Sequence, residues 1–187
     1  MGTIKIKIHQ DLHLAQMLTI QSNDKVSFKV IDFEGDPLLS INEKFQKDPI
    51  FRDLAGIYSA FHYIKFNALQ QYFGNQPNIG IEKYREIYLK FAPSSTPSIK
   101  NTNAHEQQLI SFTKQWEAFC RNTFLESYIL NLKDHQLTFN LDLTSKYYFQ
   151  GLLTLFRVER LIKEVYYESL FRKANVIIPI IGLFELD

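Results

Sequence analysis

The chain has 187 residues, 45% of them apolar, and carries 21 Lys and Arg against 20 Asp and Glu. That length buries one core, or at most two, without disulfide help, and the even charge balance removes the positive field that nucleic acid or an anionic membrane selects. The lone Cys120 suits a reducing compartment; set among Trp116, Phe119 and Phe124, it reads as a buried, inert thiol.

The first eight residues alternate Lys with Ile and build no apolar signal segment. Ile6 stands where a myristoylation motif needs Ser or Thr. VIIPIIGLF near the end is too short to span a bilayer and is interrupted by Pro179. A soluble, cytoplasmic protein is expected.

Strict alternation over TIKIKI predicts a strand from Thr3 to Ile8. MLTIQ, the polar SNDK and VSFKVIDF predict a hairpin around a four-residue turn. Asp48-Pro49 reads as an N-cap followed by proline at the first helical position. Leu54, Ile57, Tyr58, Phe61 and Ile64 then recur at helical spacing up to a glycine stop at Gly74. A second helix is predicted from Ile81 to Phe91, and residues 93–103, PSSTPSIKNTN, form the one linker-like stretch. Asn103 with Glu106 makes a capping box for a long helix whose stripe is Leu109, Phe112, Trp116, Phe119 and Leu125. A last helix is predicted from about Thr144 to Ala174, with an extended tail after it. The fold class is therefore α+β and mostly α-helical. A small β-hairpin unit fills residues 1–40 and a helical body fills 41–187.

IHQDLHLAQ raises the chemical question. His9, Asp11 and, five residues on, Gln16 follow H-x-D-x-x-x-x-N with glutamine for asparagine. One hairpin later Asp32-Phe33-Glu34-Gly35 gives D-F-x-G. That order matches the catalytic and metal loops of the kinase fold. There the first carboxylate takes or orients the proton of an attacking hydroxyl. An amide oxygen and the second carboxylate converge on Mg²⁺, a hard cation that wants oxygen ligands. The competing reading is a polar turn joined to a hairpin.

IHQDLHLAQML, VIDFEGDP and DPIFRDLAGIYSAFHY resemble HGDLHLGQVL, DFEGEP and SPLRDVAGMLRSFDY of the maltokinase family, sugar kinases of the aminoglycoside-phosphotransferase-like group. RLIKEVYYE and VIIPIIGL resemble that family's KALYEVRYE and IPLRGI. The resemblance implies a protein-kinase-like C-terminal lobe that phosphorylates maltose at its anomeric hydroxyl with ATP and Mg²⁺. It implies Asp11 as catalytic base, Gln16 and Asp32 as metal ligands, and His13, Glu164 and Tyr167 as contacts to the sugar. His9, Glu34 and Asp53 would support them, Asp53 by holding the backbone amides of the catalytic loop. From the residues alone, Glu164 also reads as a solvated helix carboxylate, Tyr167 as a core ring and His13 as a partner of the loop backbone. Asp53 likewise reads as compensation of a helix dipole.

The chain departs from the family pattern at four of these positions. Gln10 and Ala15 replace glycines and so imply ordinary backbone angles, and Arg160 and Lys163 replace the lysine and first tyrosine of the tail motif. None of the seven glycines forms a G-x-G phosphate loop, and no strand lysine with a helix glutamate precedes the catalytic loop. The N-terminal nucleotide lobe is thus expected on another chain or upstream, and a fused or separate trehalose synthase is a further possible partner by resemblance. A non-catalytic module that binds a glucan or a partner enzyme is the alternative.

Overall fold

Apolar residues recur around the whole circumference of one helix, Phe51–Phe73, and this helix becomes the axis of the structure. In the computed structural model, which describes residues 5–23, 25–73, 104–134 and 146–186, the chain is mostly helical with two small antiparallel sheets. The elements are β1 (Lys5–Ile6), β2 (Met17–Ser22), β3 (Lys25–Val30), α1 (Ile41–Lys44), β4 (Asp48–Pro49), α2 (Phe51–Phe73), α3 (Ala104–Asp134), α4 (Lys146–Phe171) and α5 (Ile177–Phe184). The helix predicted over 81–91, the linker at 93–103, the stop at Gly74 and the cap at Asn103 lie outside the described residues.

Helices α3, α4 and α5 pack around α2. Ile50, Phe51, Leu54 and Tyr58 meet Leu125, Phe149 and Leu153 at one end of α2; Phe66 and Leu69 meet Ile178 and Ile181 at the other. No helix among the described residues is long and apolar enough to cross a membrane.

Several boundaries differ from expectation. Among the described residues of the predicted first strand, Lys5–Ile6 pairs, and its partner is β4. Asp48 and Pro49 therefore do not cap the helix; α2 starts two residues later, with the Ile50 carbonyl taking its first hydrogen bond from Leu54 N–H. The β2–β3 hairpin closes more tightly than a four-residue turn, since Ser22 and Lys25 still pair and Asn23 takes up φ +51°. The tail is not extended. Ile177–Phe184 forms α5, with Pro179 in its first turn where no N–H is needed. A short β-branched run has no period that separates buried helix from strand, and burial of Ile178, Pro179 and Ile181 decided it. On α3 the expected stripe is only partly inward, because Phe112 and Phe119 are exposed. Cys120 is half-buried, and burial followed by the charge of Glu117 pushes its thiol pKa up.

Between the two apolar clusters lies a charged one. Lys65 Nζ sits 2.6 Å from Glu117 Oε2 and 2.9 Å from Glu185 Oε2, while His62 Nδ1 lies 3.1 Å from Glu117 Oε1 and Nε2 faces the Ile178 carbonyl at 3.0 Å. Arg121 also pairs with Glu117. His62 and Lys65 fall at core-facing positions of α2 between Tyr58 and Leu69, so their charge had to be met inside the protein. Burial alone would raise the Glu117 carboxyl pKa, but the hydrogen bond and charge of His62, with Arg121 and Lys65, hold it well below the usual carboxylate range. A depressed folded value means that Glu117 stabilises the fold fully above its ordinary value of 4.5 and loses that contribution as pH falls below it. Glu117→Gln is therefore expected to cost about 3–5 kcal/mol at neutral pH and to flatten the loss of stability below 4.5. Urea unfolding of both proteins from neutral into the acid range checks this, and identical acid slopes would refute it.

Candidate functional site

The hairpin register builds the site. Met17 pairs with Val30, and the ladder continues one step further as Ile31 N–H donates to the Gln16 carbonyl at 2.9 Å. Asp32 follows Ile31, and its left-handed backbone turns its carboxylate to the Gln16 side chain, whose Nε2 donates to Asp32 Oδ2 at 2.6 Å. Asp32 takes φ +64° and Gly35 φ +80°, which turns the chain sharply away from β3. Aspartate tolerates this left-handed region better than most residues. Glu34 lies exposed in the turn between them.

His9 joins the two loops. Its Nε2–H donates to the Ile31 carbonyl at 2.8 Å and its ring lies 5.1 Å from that of Phe33. Asp53, in the first turn of α2, then receives two amides of the loop before β2: His9 N–H at 2.8 Å on Oδ2 and Gln10 N–H at 2.9 Å on Oδ1. The helix thus presents one carboxylate to two successive backbone donors. Burial pushes the Asp53 carboxyl pKa up, and the two amides pull it back.

Gln10 corrects the expectation of ordinary backbone angles. It stands at φ +71°, in the region that glycine enters freely and other residues enter at a cost of about 1–2 kcal/mol. The two amide bonds to Asp53 hold it there, and its side chain reaches Glu43 O at 3.3 Å. Ala15 sits in the short 3-10 turn Leu14–Gln16 and needs no unusual angle. Behind the loop, Gly56 of α2 lies against the Leu12 carbonyl so closely that a Cβ there would collide with it.

Asp11 projects from the pinned loop into a groove of about 660 Å³ between the loop, α2 and α4. Arg160 of α4 reaches it, with Nη1 at 3.3 Å from Oδ1, and His13 Nε2 lies 3.9 Å from Oδ2. His13 also lies 3.5 Å from Gln16 Nε2. Glu164 is not a solvated helix carboxylate. It lines the groove with Oε1 on Arg160 Nε at 2.7 Å and Oε2 on the Ser59 hydroxyl at 2.5 Å. Tyr167 is not a core ring. It is 41% exposed on the groove wall, backed by Phe171 and faced by the Arg172 guanidinium. Lys163 lines the same wall.

The structure therefore gathers Asp11, His13, Glu164 and Tyr167 around one groove and places Gln16 with Asp32 on the adjacent hairpin base. Sequence reasoning missed Arg160 as the partner of Asp11, the groove residues Tyr63 and Glu168, and Ser59. A signal for the α4 residues was present: Arg160, Glu164, Glu168 and Arg172 recur every fourth residue and so share one face. No protein-family model matches the chain.

Proposed function

We propose that the chain is the catalytic lobe of a sugar kinase and transfers a phosphoryl group from ATP to a sugar hydroxyl, with maltose to maltose 1-phosphate as the specific reaction. The observation that carries this is the pinned loop itself. One helix carboxylate, Asp53, and one histidine, His9, fix two loops so that Asp11 faces a groove while Gln16 and Asp32 come together beside it.

The donor set fits Mg²⁺. Asp32 offers a carboxylate, and turning the Gln16 amide over would set its oxygen rather than its nitrogen toward the same space. Mg²⁺ keeps several waters and takes few protein oxygens, so two ligands are in character. Gln16 and Asp32 would hold it, and bound Mg²⁺–ATP would supply the phosphoryl group with its charge neutralised.

The protein's own part is positional and acid–base. An acceptor hydroxyl in the groove gives its proton to Asp11 as its oxygen attacks. Arg160 orients the Asp11 carboxylate, and the rigid loop keeps that oxygen in place relative to the metal side. Val26, Phe28, Phe33, Leu38, Ile41 and Phe45 are all more than half exposed on or near the hairpin. An isolated two-stranded hairpin is marginal in water, and this apolar surface fits an N-terminal nucleotide lobe packed over it.

The test is maltose-dependent ATP consumption by the chain together with a segment that supplies the nucleotide lobe, whether from another chain or from upstream. Turnover with maltose, and co-purification of that segment through the hairpin, are the expected results. Sugar binding with no ATP consumption by the assembled pair would favour the glucan-binding module instead.

A further inference from the structure

Helix α4 has two apolar sides, and the fold uses one of them. Phe149 and Leu153 bury in the core around Phe51 and Leu54 of α2, and Glu164 is hydrogen-bonded to Ser59 of that same helix. On the far side Leu155, Ile162, Tyr166 and Leu170 recur at i, i+7, i+11 and i+15 and so form one stripe. Each is more than half exposed, from 52% at Leu170 to 63% at Tyr166. Together they leave on the order of 500 Å² of apolar surface in water, more than the few hundred that a soluble monomer commonly shows in one patch. Gly151 continues the stripe toward the N-terminus of the helix. A Cβ there would meet nothing within 4 Å, yet glycine inside a helix costs about 1 kcal/mol relative to alanine. No described residue uses the notch that it leaves.

We propose that this stripe is the contact between two copies of the chain, packed as an antiparallel pair of α4 helices about a two-fold axis near residue 161. The interface goes beyond the phosphotransfer reading and does not depend on it. The register sets Ile162 against Ile162 of the second copy and Leu155 against its Tyr166. Gly151 gives room to Leu170 of the second copy, which fills the unused notch. A parallel pair would set Gly151 beside Gly151 and leave the notch empty. The charges fit the antiparallel register as well. Glu159 and Lys163 flank the stripe on one side and are both partly exposed. About a two-fold near 161 each Glu159 falls opposite Lys163 of the second copy, so both ends of the contact gain an ion pair. From Gly151 to Leu170 the face is about 28 Å long at 1.5 Å per residue. With its polar flanks it approaches the roughly 800 Å² per partner of a standard interface, and an apolar centre inside a charged rim is the usual anatomy of one.

The experiment is sedimentation equilibrium of the full chain from roughly 1 to 100 μM, joined to single-cysteine cross-linking in a Cys120→Ser background. Wild type is expected to reach twice the chain mass within that range. Gly151→Glu sets a charge in open space, so it spares the monomer, and it should weaken the dimer about tenfold or more by burying that charge unpaired. Ile162→Lys carries the same prediction if the glycine variant fails to fold. Phe28→Glu on the exposed hairpin should leave the mass unchanged. On mild oxidation Ile162→Cys should form a disulfide-linked dimer. Leu155→Cys alone should not, because its two copies stand about 18 Å apart along the paired helices, whereas Leu155→Cys mixed with Tyr166→Cys should link. A monomer across the whole range overturns the proposal and leaves the stripe to a different protein. A dimer that Phe28→Glu dissolves and Gly151→Glu does not also overturns it, by moving the contact to the hairpin. Ready cross-linking of Leu155→Cys to itself overturns the antiparallel register.

Discussion

Asp11→Ala is expected to slow maltose-dependent ATP consumption by about two to four orders of magnitude, the usual scale for loss of a general base, with no recovery at raised Mg²⁺. Asp11 faces the groove, and its contacts are Arg160 and His13, not the Gln16–Asp32 pair, so on the proposed kinase reading its removal should take away proton acceptance at the hydroxyl and leave the Gln16–Asp32 pair intact. On the same reading, Asp32→Ala should remove a charged oxygen ligand at the hairpin base. It should lower activity mainly through weaker productive Mg²⁺–nucleotide binding, and added Mg²⁺ should restore part of it. Gln16→Asn keeps an amide on a shorter arm and should retain measurable turnover. The two aspartates thus separate by their metal response. If Asp11→Ala phosphorylates sugar as fast as the parent, IHQDLHLAQ is a polar turn and the kinase reading fails.

Asp53→Asn should have the largest effect on the loop. An amide in place of the carboxylate can accept only one of the two N–H groups and turns a donor toward the other. Each lost charge-assisted bond is worth about 1.5–3 kcal/mol, and Gln10 adds about 1–2 kcal/mol of left-handed backbone strain that is no longer held in check. Amides of residues 9–16 should then exchange about ten- to a hundredfold faster, while α3 and α4 keep their protection. Activity falls with the loop, since a base that wanders loses its positional advantage. Unchanged exchange over residues 9–16 would reduce Asp53 to a charge at a helix terminus.

The hairpin that carries Gln16 and Asp32 was legible in the sequence because it is local. His9, Asp11, Gln16 and Asp32 span one hairpin, and a period of two with a tight turn fixes which residues oppose each other across it. The register pairs Gln16 with Ile31 and leaves Asp32 one residue out, so the contact between Gln16 and Asp32 depends on the left-handed φ of Asp32 and was not implied by the spacing. Helical period placed α2, and the regular i,i+4 charges placed one face of α4. Period, however, states which side of an element faces inward and not what it will face. Arg160 lies 149 residues from Asp11, Tyr63 lies 105 from Glu168 and His62 lies 116 from Ile178. Such pairings come from how α2 and α4 pack, which no local pattern encodes. The φ of Gln10 is of the same kind: its own side chain argues against the left-handed region, and only a carboxylate brought from 43 residues away holds the backbone there. The α5 helix follows the same rule, since VIIPIIGLF has no polar side to read and its conformation was settled by burial against α2 and α4.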